Sequence, residues 1–373
     1  MTDLLVTTHT PLLRSGQTMR TYGVARALAA AGEGLTLLYA RFEGDEPDEA
    51  FRSIPGIELR EVLASRGARR ALAYAGARVR RTPAGFARGV SPELAAAASD
   101  LAAAPGRGRV IADGPVAAAA LRGLSRRRAV VYNAHNLESG FRGELSRGEG
   151  SVQALRRFER GVLSRASESW MVSEAEMAAA ARLCPQARLR YVPNVVDVAA
   201  IVPVVPSAEP RAVFVANFAY EPNRNGLRFL LEEVMPRVWE ELPQARLRLV
   251  GANLELPPGA DERVEAAGFV ERLADAYAGA RCAVVPLLQG GGTPLKFVEA
   301  LAYGLPVLAT PRAAAGLAVS DGTDCVLAEG AGAFAAALLG LLGQGAPEIG
   351  ANGRELAMER YSIEALTRLL AAD

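Results

Sequence analysis

Short apolar runs alternate with longer Ala- and Leu-rich stretches through nearly the whole chain, and few folds accommodate that order. A few apolar residues between turn signals read as a strand, and a long Ala/Leu stretch reads as a helix. Strand, helix, strand in succession brings the chain back parallel to itself, because the helix crosses one face of the sheet before the next strand pairs. The expected class is α/β, with doubly wound parallel sheets. In the first half the strands fall near Leu4–Thr8, Leu35–Tyr39, Ile57–Val62, Val110–Ala112, Ala129–Tyr132, Ser169–Val172 and Leu189–Val192. Helices between them include Thr18–Ala31, Pro92–Ala104, Val152–Arg165 and Glu174–Leu183.

Pro193-Asn194-Val195-Val196-Asp197, followed by Pro203, Pro206 and Pro210, interrupts the pattern and reads as a linker. Beyond it the pattern starts again. Strands are expected at Ala212–Val215, Arg246–Val250, Cys282–Pro286 and Pro306–Ala309, and helices at Gly226–Glu241, Glu271–Ala278 and Pro294–Tyr303. Two domains follow, 1–195 and 196–359, and 373 residues suit two ordinary cores better than one. Open α/β sheets bind ligands outside the carboxyl ends of their strands, so chemistry is sought in those loops.

Composition narrows the partners. A net charge of +1 hides two unlike halves: residues 1–190 carry 28 basic and 19 acidic side chains, residues 191–373 carry 14 and 22. The basic excess is densest at Arg66, Arg69, Arg70, Arg78, Arg80, Arg81 and Arg88. Such a surface attracts an anionic acceptor or a membrane face, or is simply a solvated helix face. It lacks interleaved aromatic residues that stack on bases, so nucleic acid is not an expected partner. No window approaches the ~20 apolar residues of a membrane span, and Met1-Thr2-Asp3-Leu4-Leu5-Val6 does not read as a signal peptide. Cys184, Cys282 and Cys325 are scattered without metal-ligand spacing and fit buried thiols of a reducing cytoplasm.

Of 42 basic residues only one, Lys296, is lysine. A compact ammonium and a planar guanidinium are not interchangeable at a tight phosphate site. Lys296 follows Gly290-Gly291-Gly292-Thr293-Pro294-Leu295 at the end of a strand. Glycines let backbone amides approach a ligand, and a helix amino terminus attracts anions. Thr293 is expected to cap that helix, with Pro294 in its first position. Lys296 then lies in the first turn, with Glu299 three residues on along the same face. A cation there opposes the helix dipole unless an anion faces it. The combination describes a nucleotide diphosphate, phosphates on the helix end and ribose hydroxyls on Glu299. A capped helix with a surface Lys–Glu pair is the plainer alternative.

The chain has two histidines, His9 after the first strand and His135 after the run 129–134. Both are expected at the ligand end of the first domain. His135, flanked by Asn133, Asn136 and Glu138, is the better placed to touch a substrate hydroxyl. Gly16, before the first helix, allows a ligand close to the backbone or merely makes a turn. Asn217 and Arg224 flank the first helix of the second domain, and Arg224 offers a second cation for phosphate. Phe269 and Val270 line a base pocket or pack in the core.

These motifs resemble family 4 of the retaining glycosyltransferases, whose GT-B fold sets two Rossmann-like domains around a cleft. The resemblance spans the chain, through the glycine loop before the first helix, Asn133-Ala134-His135-Asn136, Val172-Ser173-Glu174-Ala175-Glu176 and Pro193-Asn194-Val195-Val196-Asp197. It is most specific over Gly292–Thr310, and the helix opening at Tyr361 also fits. The resemblance implies that 1–195 holds the acceptor and 196–359 the donor, a UDP- or GDP-linked sugar. It also implies that the helix 360–373 packs back on the first domain. Transfer would retain anomeric configuration and need no metal or other cofactor. By the same resemblance Gly291, Gly292, Thr293, Pro294, Leu295, Lys296 and Glu299 line the donor site, with Asn217, Arg224, Phe269 and Val270. His135 would contact the transferred sugar, and Gly16 and Asn136 would lie on the acceptor side. The acceptor would be a sugar, a lipid-linked molecule or another small molecule, in bacterial polysaccharide or glycoconjugate synthesis, with the protein cytoplasmic, either free or peripheral at the inner membrane face.

The chain departs from the family at three places. Gly291 stands where the family's Glu-x7-Glu has its first Glu, and Asn217 and Asn225 stand where an Arg and a Lys are usual. A subgroup with Gly-Gly-Thr-x-Leu-Lys is similar here. Two rivals follow, a silent sugar-nucleotide-binding scaffold and a GT-B epimerase of the sugar nucleotide. A nicotinamide dehydrogenase is disfavoured, since neither half opens with Gly-x-Gly-x-x-Gly after a strand.

Overall fold

The structure, a computed structural model, describes residues 1–32, 34–41, 46–140, 149–257, 259–290 and 293–371, apart from the side chains of 149–151. The chain divides into two units, Met1–Asn194 with Leu366–Asp373, and Val195–Ala365. The first break falls inside Pro193-Asn194-Val195, where proline rigidity and the absence of an apolar run end the sheet pattern.

The first unit is built on seven strands: β1 Thr2–Thr7, β2 Leu35–Arg41, β3 Ile57–Leu63, β4 Arg107–Asp113, β5 Val131–Asn133, β6 Glu168–Met171 and β7 Leu189–Tyr191. They pair in the order β3-β2-β1-β4-β5-β6-β7, and every pair is parallel. Leu4, Leu5 and Val6 are fully buried because helices cover both faces of β1. At the edge, β3 alternates between half-buried and exposed residues. The winding reverses between β1 and β4, which opens a crevice at the carboxyl ends of those two strands. The helix Gly16–Ala31 starts there, fixed by a reciprocal cap in which Ser15 and Thr18 satisfy each other's backbone amides.

The second unit repeats the plan with six strands: β8 Arg211–Val215, β9 Arg246–Val250, β10 Val264–Gly268, β11 Cys282–Val285, β12 Val307–Ala309 and β13 Val326–Leu327. Their order is β10-β9-β8-β11-β12-β13, again all parallel, so the reversal falls between β8 and β11. Its core joins Phe214, Leu247, Leu249 and Val284 of the sheet to Leu230, Val234, Val238, Phe334 and Leu338 of the helices. The last helix, Ile363–Ala371, begins in this unit and ends in the first. There Arg109 donates to the Leu370 carbonyl at 3.1 Å, and Arg190 donates to that of Leu369. Just before the helix, the Tyr361 carbonyl accepts from the Val196 amide at 2.9 Å, and its hydroxyl accepts from the Ala318 amide at 2.7 Å.

The two Rossmann-like sheets are the fold class expected, with local differences. Strand β10 escapes a search for apolar runs because Val264-Glu265-Ala266-Ala267-Gly268 has a single β-branched residue, and only Val264 is buried at this edge position. The single helix expected over 226–241 begins earlier and is interrupted. It runs as Glu221–Phe229, a wider π turn at Leu230–Val234, and Met235–Glu241. Pro236 supplies no amide to the ladder, which accounts for the widening just before it. The helix expected at Pro294 begins at Leu295, and Pro294 itself is the cap.

Gly251 fixes the crossing of β9 against the end of β8. It has φ +140°, and a Cβ there would sit 1.7 Å from the Ala216 carbonyl oxygen. Gly251→Ala should therefore lower unfolding free energy by at least ~2 kcal/mol in urea titrations with an unchanged slope. Gly332→Ala, in open space on the helix Ala331–Gly343, should leave the midpoint unchanged or raise it slightly.

Candidate functional site

In the second unit, the loops that follow β8 and β11 flank the reversal of winding. After β11 the chain runs to Gly290, whose φ of +121° turns it back. This loop is pinned from the segment after β12: Thr310 donates its hydroxyl to the Leu287 carbonyl at 2.5 Å, and Arg312 Nε donates to the Gly290 carbonyl at 2.9 Å. Gly291 and Gly292 lie outside the described residues. Thr293 is buried and its hydroxyl donates to the Gly316 carbonyl at 3.4 Å, so it ties the loop down instead of capping the helix. Pro294, in extended conformation, makes no side-chain cap. The amides of Leu295 and Lys296 open the helix without an intrahelical acceptor.

Lys296 is half-buried in the first turn of Leu295–Ala302, a helix whose other residues are all buried. Its ammonium turns to Asn223, donating to the side-chain oxygen, and lies 5.1 Å from the centre of the Phe214 ring on β8. Asn223 is buried in the first turn of Glu221–Phe229, and its amide nitrogen donates to the Asn217 carbonyl at 2.7 Å. One asparagine thus links the loop after β8 to the lysine after β11. Burial pushes the Lys296 ammonium down to about 7 and the Glu299 carboxyl up to about 7, each opposed by the other's charge. Glu299 is 7% exposed, and no described residue hydrogen-bonds its carboxylate. A surface Lys–Glu pair is therefore not what this sequence makes: both groups are held in a poorly solvated place, and the ammonium faces Asn223.

Of the other expected donor residues, Asn217 and Arg224 follow β8, the neighbour of β11, and Phe269 and Val270 follow the edge strand β10. Arg224 is exposed, and its guanidinium donates to the Phe218 carbonyl at 3.1 Å and to that of Ala219. Asn217 accepts from the Ala219 amide and from the Asn253 side chain, both at 3.0 Å. Phe269 follows β10 and is 74% exposed, so core packing is not its role; Val270 beside it is half-buried.

In the first unit the reversal between β1 and β4 holds a buried polar network. Asp113, at the end of β4, accepts from Asn133 at 2.7 Å and from the Thr21 hydroxyl at 2.6 Å, and pairs with His135 Nε2 at 2.9 Å. Arg20 donates to Asn133 at 2.6 Å, to the Val192 carbonyl at 2.9 Å and to the Asn194 side chain at 3.0 Å. Burial alone would raise the Asp113 carboxyl. The His135 charge and the hydrogen bonds from His135, Thr21 and Asn133 outweigh it and hold the group at about 2. Gly114, with φ +81°, leaves room for the imidazole: a Cβ there would lie 2.9 Å from His135 Cε1. His9 is near enough for Asp113 and His135 to act on it, although burial dominates and lowers its pKa. Asn136 is half-buried beside His135, and Gly16 is the exposed first residue of its helix.

Sequence reasoning placed His135 at a strand end but missed Asp113, Thr21, Arg20 and Asn223. The signal for Asp113 was Asp113-Gly114-Pro115 at a strand-to-helix turn, and for Asn223 a polar residue in the first turn after β8.

Residues 209–344 match the family model described as glycosyl transferases group 1, a span that contains Asn223, Lys296 and Glu299. No curated protein sequence matches the chain. Solved structures match over its full length. Sucrose-phosphate synthase from Thermosynechococcus elongatus is 20% identical with a TM-score of 0.73, over 99% of this chain and 97% of that one. HepE of Anabaena, in complex with UDP and glucose, is 16% identical with a TM-score of 0.70, over 100% and 98%. WaaG, a glycosyltransferase involved in lipopolysaccharide biosynthesis, is 15% identical with a TM-score of 0.65, over 99% and 98%. At these identities the likeness is one of fold, and the fold is that of GT-B glycosyltransferases.

The depressed Asp113 carboxyl makes a prediction with a definite sign. Its folded value of about 2 lies below the ordinary 3.8, so its contribution is complete above pH 4 and is lost as pH falls towards 2. Between those limits the wild type should lose about 2 kcal/mol more unfolding free energy than Asp113→Asn in urea titrations. Parallel curves would place the carboxylate outside the network's energetics.

Proposed function

We propose that the chain transfers a sugar from a nucleotide-diphosphate donor, UDP- or GDP-linked, to an acceptor hydroxyl, retaining anomeric configuration and needing no metal. The observation that carries this reading is Lys296, the chain's one lysine, half-buried beside the open amides of an apolar helix and held by Asn223. The family match over 209–344 supports it, as does the likeness to a structure that holds UDP and glucose.

In this reading the incoming diphosphate takes the ammonium from Asn223 and accepts from the Leu295 and Lys296 amides. The anion restores to Lys296 the charge that burial disfavours. As the sugar leaves, negative charge grows on the terminal phosphate, and these donors already point at it, so they favour the transition state over the ground state. Glu299, buried and without a described hydrogen-bond donor, accepts from the ribose hydroxyls. Phe269 offers an exposed aromatic face to the base. In the first unit, which would take a sugar, lipid-linked or other small acceptor, His135 is oriented through Nε2 by Asp113 and offers its other ring nitrogen to a sugar hydroxyl. Gly291, in place of the family's first Glu, favours one alternative, a silent scaffold that binds the donor without turning it over.

Mass spectrometry after incubation with a panel of UDP- and GDP-sugars separates the readings. Free nucleotide plus glycosylated product is expected; an isomerised donor would show an epimerase, and an unchanged donor that still raises Tm would show a scaffold. In the active case Lys296→Ala should lower kcat by ~10²–10³. Lys296→Arg should lose activity as well, because a planar guanidinium does not replace a compact ammonium between Asn223 and Phe214. Wild-type rates from Lys296→Ala would remove Lys296 from the mechanism, and wild-type rates from Lys296→Arg would show that the lone lysine is an accident of composition. His135→Ala should cut turnover while leaving UDP affinity, read by calorimetry, unchanged.

A further inference from the structure

Between Glu61 and Glu93 the chain has seven arginines and no acidic residue, and between Asp113 and Glu138 it has four more arginines and again no acid. The fold brings these two stretches together: Arg122 donates to the Arg80 carbonyl at 2.7 Å. Burial lowers the pKa of Arg165, and the charges of Arg122 and Arg126 lower it further, so the basic surface extends onto a third element.

The helix Gly67–Val79 stands at the centre of the first stretch. Of its thirteen residues only Ala77 is buried. At 100° per residue, Ala68, Leu72, Ala75 and Val79 form one stripe diametrically opposite Ala77, with Arg69 on one flank and Arg78 on the other. That stripe faces solvent: Leu72 is 73% exposed and Val79 is 84% exposed. A helix normally turns its apolar stripe inward, and this one turns it outward between arginines. Leu63, at the end of the edge strand β3, adds a third exposed apolar side chain at 64%. Among the described residues no helix is long and apolar enough to cross a membrane.

We propose that this face of the first unit docks on an anionic lipid bilayer, with Leu72 and Val79 seated among the acyl chains and Arg69, Arg78, Arg80 and Arg81 at the phosphate level. An apolar stripe between basic residues is the pattern of a helix lying in the interface plane. The acid-free runs 62–92 and 114–137 give the charge complementarity, and long arginine side chains reach the headgroups while the stripe sinks. A nucleic acid fits less well, because the outward stripe is aliphatic and offers no ring to stack on bases. The inference stands independently of the glycosyl-transfer reading, since it uses none of the donor or acceptor residues.

Co-sedimentation of the full chain tests it, with vesicles of phosphatidylcholine alone against equimolar phosphatidylcholine and phosphatidylglycerol. Binding to the anionic vesicles only is expected, weakening at ~1 M salt, where the Debye length is about 3 Å. Arg69→Gln should lower the partition coefficient about fivefold. Leu72→Ser with Val79→Ser should lower it at least ~10-fold, with Tm unchanged because both side chains are already in water. Equal binding to neutral vesicles, or an unchanged coefficient for the serine double variant, overturns the proposal. Binding to single-stranded RNA with none to vesicles overturns it too, and assigns the surface to nucleic acid.

Discussion

An ammonium near the amino end of a helix is repelled by the helix, and burial makes it worse. Lys296 is nevertheless kept in the first turn of the most buried helix of the second unit, and its surroundings are arranged around that cost. Asn223 accepts from it, the Phe214 ring lies beneath it, and Glu299 lends a negative charge from the same helix. Asn223 is in turn held by the Asn217 carbonyl, while Thr310 and Arg312 hold the glycine loop. A solvated surface lysine would require none of these partners.

The first unit solves the opposite problem at the equivalent place in its sheet. There the reversal of winding gathers a buried carboxylate, Asp113, which the His135 charge and three hydrogen bonds keep ionised and which fixes the orientation of His135. Arg20 ties this network to the chain just before the break between units through Val192 and Asn194. The same topology therefore presents a cation with open amides in one unit and an oriented imidazole in the other. Sheet order dictates where the chemistry sits, and a few side chains at the strand ends decide its sign.

The sheets were legible because alternating strand and helix signals leave few arrangements, and Lys296, Glu299 and His135 stood out by rarity and by place. What stayed hidden depends on pairing across long separations. Asp113 and His135 are ordinary residues until the β4·β5 register puts their strand ends side by side. Asn223 and Lys296 lie 73 positions apart and meet only because β8 and β11 are neighbours. Thr293 looked like a helix cap by local rule, yet the nearby Gly316 carbonyl claims its hydroxyl. Strand β10 failed the apolar test because an edge strand need not be apolar on both faces.

The structure of the chain soaked with a UDP-sugar tests the central claim most directly. The account predicts the diphosphate at the start of Leu295–Ala302, with Lys296 Nζ moved off Asn223 to ~2.8 Å from a phosphate oxygen and Glu299 on the ribose hydroxyls. A nucleotide bound elsewhere, or one bound there with Lys296 still on Asn223, would contradict it.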